Sequence, residues 1–212
     1  QERRAMADVI AVAEVWLWGQ RVGAVTEEST GTIVFEYDPR FAKRGLEISP
    51  IKLPLSTRGP VMFAELQRVE AFMGLPGLLA DALPDRFGNA VIRKYFETRG
   101  QPGFAMSPVQ KLLYIGDRAM GALEFRPPLD VGRSKHENAP LEVARLVLQA
   151  RQLIEGKTED VVPEIMRLGS SAGGARPKAV ILRNRATNTV RSAFATPDPG
   201  DEHWIIKFDG VG

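Results

Sequence analysis

The chain has 212 residues, 44% of them hydrophobic and 25% charged, with 28 Lys and Arg against 26 Asp and Glu for a net charge of +2. This is the composition of a globular protein with room for one large domain or two small ones, and so small a charge gives no electrostatic footprint for nucleic acid. With no cysteine there are no disulfides, thiolate metal sites or cysteine nucleophile, as suits a reducing compartment. No apolar stretch approaches the ~20 residues of a membrane helix, so the expected place is the cytoplasm, away from membranes.

The first third reads as β-rich. Alternation predicts a strand over Val9–Trp18, a turn at Gly19-Gln20, a second strand over Arg21–Thr26 and a third over Thr32–Tyr37. Ile48–Leu55 is expected to be extended, because Pro50 and Pro54 exclude a helix interior. The result is a small antiparallel meander whose inner face carries Val15, Leu17, Ile33 and Phe35. Helices follow. A short one opens at Leu75-Pro76-Gly77, and Pro84-Asp85 opens another that runs to about Thr98, with Phe87, Ala90, Val91 and Tyr95 on one face. Ser107-Pro108 reads as an N-cap with proline at the first helical position, for a helix ending near Gly116. Ala122–Phe125 returns as a strand. Beyond the polar stretch 129–139, helices are predicted from Pro140 to Glu155, with Val143, Val147, Ala150 and Ile154 on one face, and from Thr158 to Leu168. Three strands close the chain, Ala179–Leu182, Thr189–Phe194 and Trp204–Phe208, with a hairpin turn at Arg185–Asn188.

Chemistry concentrates near the end. The run Leu168-Gly169-Ser170-Ser171-Ala172-Gly173-Gly174-Ala175-Arg176-Pro177-Lys178 sets hydroxyls, glycines and cations directly before an apolar strand. Glycines let the backbone approach an anion and turn its N–H groups toward it. The run is neither a Walker A motif, since Ala175-Arg176 stands where Lys-Ser/Thr is required, nor GxGxxG, since Gly173 and Gly174 are adjacent. Phosphate binding and a plain surface turn both fit it. Lys207 lies inside the apolar strand Trp204-Ile205-Ile206-Lys207-Phe208. If buried it needs an anionic partner; on a half-exposed strand it points to solvent. His136 and His203 have no companion at ligand spacing, so no metal site is expected. Asp81, Asp85 and Arg86 read as helix-start residues rather than an acidic site. Trp16 and Trp18 share a strand face by period, as core or as a partner surface, and Arg183, Arg185 and Arg191 read as a solvated hairpin face.

Taken in order, several stretches resemble the HipA family, the kinase toxins of bacterial toxin–antitoxin pairs. Leu75-Pro76-Gly77-Leu78-Leu79-Ala80-Asp81-Ala82-Leu83-Pro84-Asp85-Arg86-Phe87-Gly88 looks like the family's amino-terminal signature. Gln110-Lys111-Leu112-Leu113-Tyr114-Ile115-Gly116 and Met120-Gly121-Ala122-Leu123-Glu124-Phe125 continue it. Ser171 to Lys178 looks like the family's phosphate-binding loop, and Trp204 to Phe208 like its lysine strand. The resemblance implies an α+β fold: an antiparallel β-rich amino-terminal subdomain with helices over 6–128, a linker over 129–139, and over 140–212 a helical connection leading into the start of a protein-kinase-like small lobe.

It implies a function as well. Gly173, Gly174, Ala175, Arg176, Pro177 and Lys178 would contact ATP phosphates and Lys207 would pair with them, while Ser171, or alternatively Ser170, would be autophosphorylated to switch the kinase off. The implied partners are a HipB-like helix-turn-helix antitoxin, through which any DNA contact would run, and a protein substrate such as an aminoacyl-tRNA synthetase. The family's catalytic and Mg2+-binding aspartates lie well downstream of the lysine strand, and Asp209 is too close to Lys207 to match either. With the sequence given ending at Gly212, no catalytic residue is assigned within it, and it is expected to be inactive alone. The alternative is a non-catalytic module that binds an antitoxin or a separate kinase subunit.

Overall fold

The structure, a computed structural model, describes residues 8–117, 119, 121–129, 140–155, 178–193 and 195–208. The chain divides into two compact units, Gln1–Leu83 with Met106–Leu129, and Pro84–Ala105 with Asp130–Gly212. The sequence reading assigns 84–105 to the first domain; in the structure this stretch groups with the second, because Phe87 and Val91 join the core built by the carboxy-terminal elements. The predicted helix Thr158–Leu168 and residues 130–139 of the expected linker lie outside the described residues.

The first unit holds a four-stranded antiparallel sheet of β1 (Val9–Leu17), β2 (Gln20–Glu28), β3 (Ile33–Tyr37) and β4 (Leu123–Arg126), in the order β3-β2-β1-β4. Register aligns Phe125, Val15, Gly23 and Tyr37 across one row, and Ala13, Val25 and Phe35 across the next, so the buried phase of each strand falls on one face. The expected inner residues Val15, Leu17, Ile33 and Phe35 are all buried there. Gly23 is needed in its row, since a Cβ at that position would lie 2.2 Å from the Glu36 carbonyl oxygen.

The β1–β2 turn is Trp18-Gly19, with φ of 49° and 73°, a two-residue connection that requires the left-handed region at both positions. Trp18 therefore belongs to the turn and not to the strand face of Trp16, and it is 72% exposed. Between β3 and β4 come α1 (Pro39–Ala42) and α2 (Gly77–Ala80) of this unit. The expected extended run Ile48–Leu55 forms turns instead. Its two prolines offer no N–H to a ladder, and its backbone is held by side chains: Tyr37 donates to the Leu53 carbonyl at 2.8 Å, and Glu47 accepts from the Leu55 N–H at 3.1 Å.

Helix α4 (Pro108–Ile115) packs on β1 through Val109, Leu112 and Ile115. Ser107 and Gln110 form a reciprocal capping box at its start. A second acceptor comes from the sheet: the Glu27 carboxylate, in the buried phase of β2 and 5% exposed, accepts from the Val109 N–H at 3.3 Å. A carboxylate at a helix N-terminus satisfies an orphan donor and the positive end of the dipole together.

The second unit is built on α3 (Arg86–Glu97), α5 (Val143–Ile154) and a three-stranded antiparallel sheet, β5 (Lys178–Asn184), β6 (Thr189–Ser192) and β7 (Asp201–Lys207), in the order β6-β5-β7. Its core joins Phe87 and Val91 of α3, Leu146 and Ala150 of α5, Ala179 and Ile181 of β5, and Phe208. The Phe87 and Phe208 rings lie 6.1 Å apart. On α5 the buried stripe centres on Leu146 and Ala150, while the predicted face residue Val143 is 38% exposed. Asp85 caps α3 by accepting from the Gly88 N–H at 2.8 Å, the role read from the sequence. Among the described residues no helix is long and apolar enough to cross a membrane.

Candidate functional site

Of the predicted site residues, Ser170, Ser171, Gly173, Gly174, Ala175, Arg176 and Pro177 lie outside the described residues. Lys178 and Lys207 are described, and the sheet brings them together. Lys178 opens β5, Lys207 closes β7, and the two are directly opposite in the antiparallel register. Directly opposed residues share a face, with Cβ atoms about 4.5–5.5 Å apart. The next rows on that face are Val180 opposite Ile205 and Leu182 opposite His203. The intervening residues Ala179, Ile181, Trp204 and Ile206 face the core.

Lys207 is exposed. The case for an anionic partner based on a buried ammonium does not hold, because the apolar neighbours of Lys207 in sequence point to the other side of the sheet. At the end of the sheet away from Lys207, Arg191 pairs with Asp198 at 2.9 Å and Arg185 with Glu202 at 3.0 Å.

That other end is closed. Arg191 of β6, directly opposite Leu182 of β5, is 8% exposed and bonds Asp198, Asp201 and the Thr196 carbonyl. Asn184 donates to the Pro199 carbonyl and to Asp201, both at 3.2 Å, and accepts from the N–H groups of Ala186 and Thr187. These bonds hold 196–201 across the lysine-bearing face at its far end, where Leu182 is only 1% exposed. The Asp198 N–H is the main influence that lowers the Asp201 carboxyl below its ordinary value, with Asn184 and Arg191 adding to it. The near end stays open: Ile205 is 49% exposed and Lys178 and Val180 are partly so. The open half-face thus presents two cations beside two aliphatic side chains, which suits an anion attached to a flat apolar body.

The register pairing of the two lysines and the closure by Arg191 were absent from the sequence reading. The signal for Arg191 was Asn184 followed by a tight turn and a run of aspartates, which becomes legible only when the hairpin register is known. Among the described residues no three His, Asp or Glu side chains converge to hold a metal ion. His203 is exposed, opposite Leu182; His136 lies outside the described residues.

The first sheet carries the other candidate surface. On its outer face Arg126 lies 4.3 Å from the Trp16 ring and pairs with Glu124 at 2.7 Å. Trp16 donates to Glu14, and Arg21 bridges Glu14 and Asp38 at 3.0 Å each. Trp18 stands beyond this neutralised ladder at the hairpin tip. A family profile described as the HipA N-terminal domain matches residues 13–126, more than half of the chain. The match includes the first sheet from Ala13 onward and α3, and ends before Lys178 and Lys207. No curated protein matches the sequence.

Proposed function

This chain belongs to the HipA family, and on that premise we propose that it is the amino-terminal, ATP-loop-bearing portion of a HipA-like serine/threonine protein kinase acting in the cytoplasm. The observation that carries this reading is the cross-strand pair Lys178–Lys207, set on an open face and preceded directly in sequence by the glycine-rich run Gly173–Pro177. Two ammoniums and a run of backbone N–H groups are what a triphosphate requires, because catalysis of phosphoryl transfer consists largely of positioning and charge neutralisation. Val180 and Ile205 offer an apolar surface beside them. Magnesium, when bound, would supply charge neutralisation at the phosphates; its ligands, and the aspartate that orients the acceptor hydroxyl, are assigned to no residue of this sequence.

Regulation would act on the same loop. A phosphate on Ser171, or on Ser170, would add about −1.5 to −2 charges to the loop that precedes Lys178 in sequence and switch the kinase off. The proposed partners are a HipB-like helix-turn-helix antitoxin and a protein substrate of the aminoacyl-tRNA synthetase type. The test is autophosphorylation by the full-length gene product with radiolabelled ATP. Lys207→Ala is expected to abolish it and Ser171→Ala to remove the label from the loop peptide; unchanged labelling in both overturns the assignment.

One observation favours a second reading, in which the 212 residues act as a binding module. Trp18 is an aromatic side chain 72% exposed at a rigid hairpin tip, in a backbone conformation that suits Asn or Gly. Exposed aromatics of this kind anchor protein interfaces. In this reading Trp18→Asn weakens capture of the antitoxin by at least tenfold while the chain stays folded; undiminished capture removes the support that Trp18 gives.

A further inference from the structure

Helix α4 carries a lysine whose surroundings do not suit a cation. Lys111 is the fourth residue of α4, on its first turn, where the helix dipole favours anions and works against an ammonium. Its neighbours Val109 and Leu112 are fully buried, and Lys111 itself is partly buried. Among the described residues the one polar contact of its ammonium is the Met73 thioether, with Nζ and Sδ 3.9 Å apart. Sulfur is a weak acceptor and brings no charge.

The carboxylates on the elements around α4 are spent elsewhere. On β2, Glu27 accepts from the Val109 N–H; Glu14 of β1 pairs with Arg21, and Glu124 of β4 with Arg126. Glu65, Arg68 and Glu70, which precede Met73, are exposed, as is Asp117 just after the helix, and none of them pairs with Lys111. Burial without a counter-ion holds the Lys111 ammonium below the usual lysine value. More of it is therefore present as the free amine, which is the nucleophilic form. Lys43 and Lys52, by contrast, are exposed, and Lys94 pairs with Glu97 at 3.6 Å.

We infer that Lys111 is an acylation site, modified directly by acyl phosphates. The free amine attacks the carbonyl carbon of the acyl phosphate. A C–N bond forms, the bond from that carbon to the phosphate oxygen breaks, and the amine proton leaves with the phosphate as hydrogen phosphate. The product is a neutral amide, so a charge disappears from a position that the helix dipole and the apolar neighbours both disfavour. Acylation here is therefore expected to keep or raise the stability of the first unit.

The experiment incubates the 212-residue chain with acetyl phosphate and follows acetylation of each lysine by peptide mass spectrometry. It is run at stepped pH from about 7 to about 10, with the chain unfolded in urea as the reference for local sequence effects. In the folded chain Lys111 is expected to react at least about threefold faster than Lys43 or Lys52 at neutral pH. That advantage should shrink as pH approaches the ordinary lysine value of about 10.4, and vanish in urea. A lowered proton affinity gives this pH trend, whereas better access alone gives an advantage that does not change with pH. Lys111→Met and Lys111→Gln, which remove the charge, are expected to leave Tm at neutral pH unchanged or higher. Lys111 reacting no faster than Lys43 and Lys52 at every pH, or an advantage that is independent of pH or persists in urea, overturns the inference. A clear fall in Tm with both variants overturns it too, since it would reveal a compensated cation.

Discussion

The two sheets of this molecule use their polar groups in opposite ways. In the first, charge is consumed in closing the structure: Arg21 ties Glu14 to Asp38, Arg126 covers Trp16 and pairs with Glu124, and even the buried Glu27 finds a helix N–H. In the second, closure is concentrated at one end around Arg191, and the opposite end sets two lysines against each other beside exposed aliphatic carbons. The first sheet thus closes on its own charges, with Trp18 exposed at its hairpin tip.

Substitutions can test how each sheet is closed. The largest effect is expected at Phe208, 1% exposed against Phe87 in the core of the second unit: Phe208→Ala should cost about 3–5 kcal/mol in urea unfolding. A cost below ~1 kcal/mol would mean that the core behind the lysine face is loosely packed and that the face is not rigidly presented. In the first sheet the counterpart is Gly23→Ala. With a Cβ 2.2 Å from the Glu36 carbonyl, β3 must shift, at a cost of about 1–3 kcal/mol or more. A neutral result would remove the close approach of β2 and β3.

Glu27 tests whether the first sheet really spends its charge internally. Glu27→Ala leaves the Val109 N–H unsatisfied and should cost about 1–3 kcal/mol; Glu27→Gln keeps an acceptor and should cost less. Equal costs for the two would place the contribution in packing instead of the hydrogen bond.

The smallest effect is one of pH and touches both sheets. The Arg40 N–H chiefly holds Asp38 below the ordinary carboxylate value, with Arg21 assisting, and the Asp198 N–H does the same for Asp201. A carboxylate depressed in the folded state binds fewer protons there than in the unfolded chain. Its contribution is therefore complete above the unfolded value of about 3.9 and disappears as pH falls through the folded one. Stability should thus be flat for these groups above about pH 5 and decline below pH 4. Asp38→Asn and Asp201→Asn should each make that decline shallower in urea unfolding at stepped pH, and an unchanged slope in either would detach that aspartate from the closure of its sheet.

Local signals carried much of the fold. Strand alternation located β1 to β3, Ser107-Pro108 and Asp85 marked helix starts that their side chains do cap, and the inner face of the meander was read correctly. Signals that depend on a distant partner were lost. Trp18 looks like a strand residue until the two-residue turn is known to need positive φ at both positions. Glu27 breaks the apolar phase of β2, a cue in itself, yet its partner is Val109, far along the chain. The grouping of α3 with the carboxy-terminal elements left no trace in its amphipathic pattern, which shows that a face is buried and not against what. At the site, sequence singled out Lys178 and Lys207 separately; their opposition is a property of the register between β5 and β7, strands that are not consecutive in the chain.

The placement of α3 also bears on how the chain is made. Synthesis runs from the amino terminus, and the first unit can assemble once β4 has emerged, since all its strands then exist. Helix α3 has by that time already left the ribosome with Phe87 and Val91 uncovered, and their covering residues, Leu146, Ala150 and finally Phe208, come much later. The nascent chain therefore carries an incompletely covered amphipathic helix while residues 98–208 are being made. A chaperone-trap or arrested-chain experiment should find the interval between emergence of β4 and emergence of β7 to be its most aggregation-sensitive period.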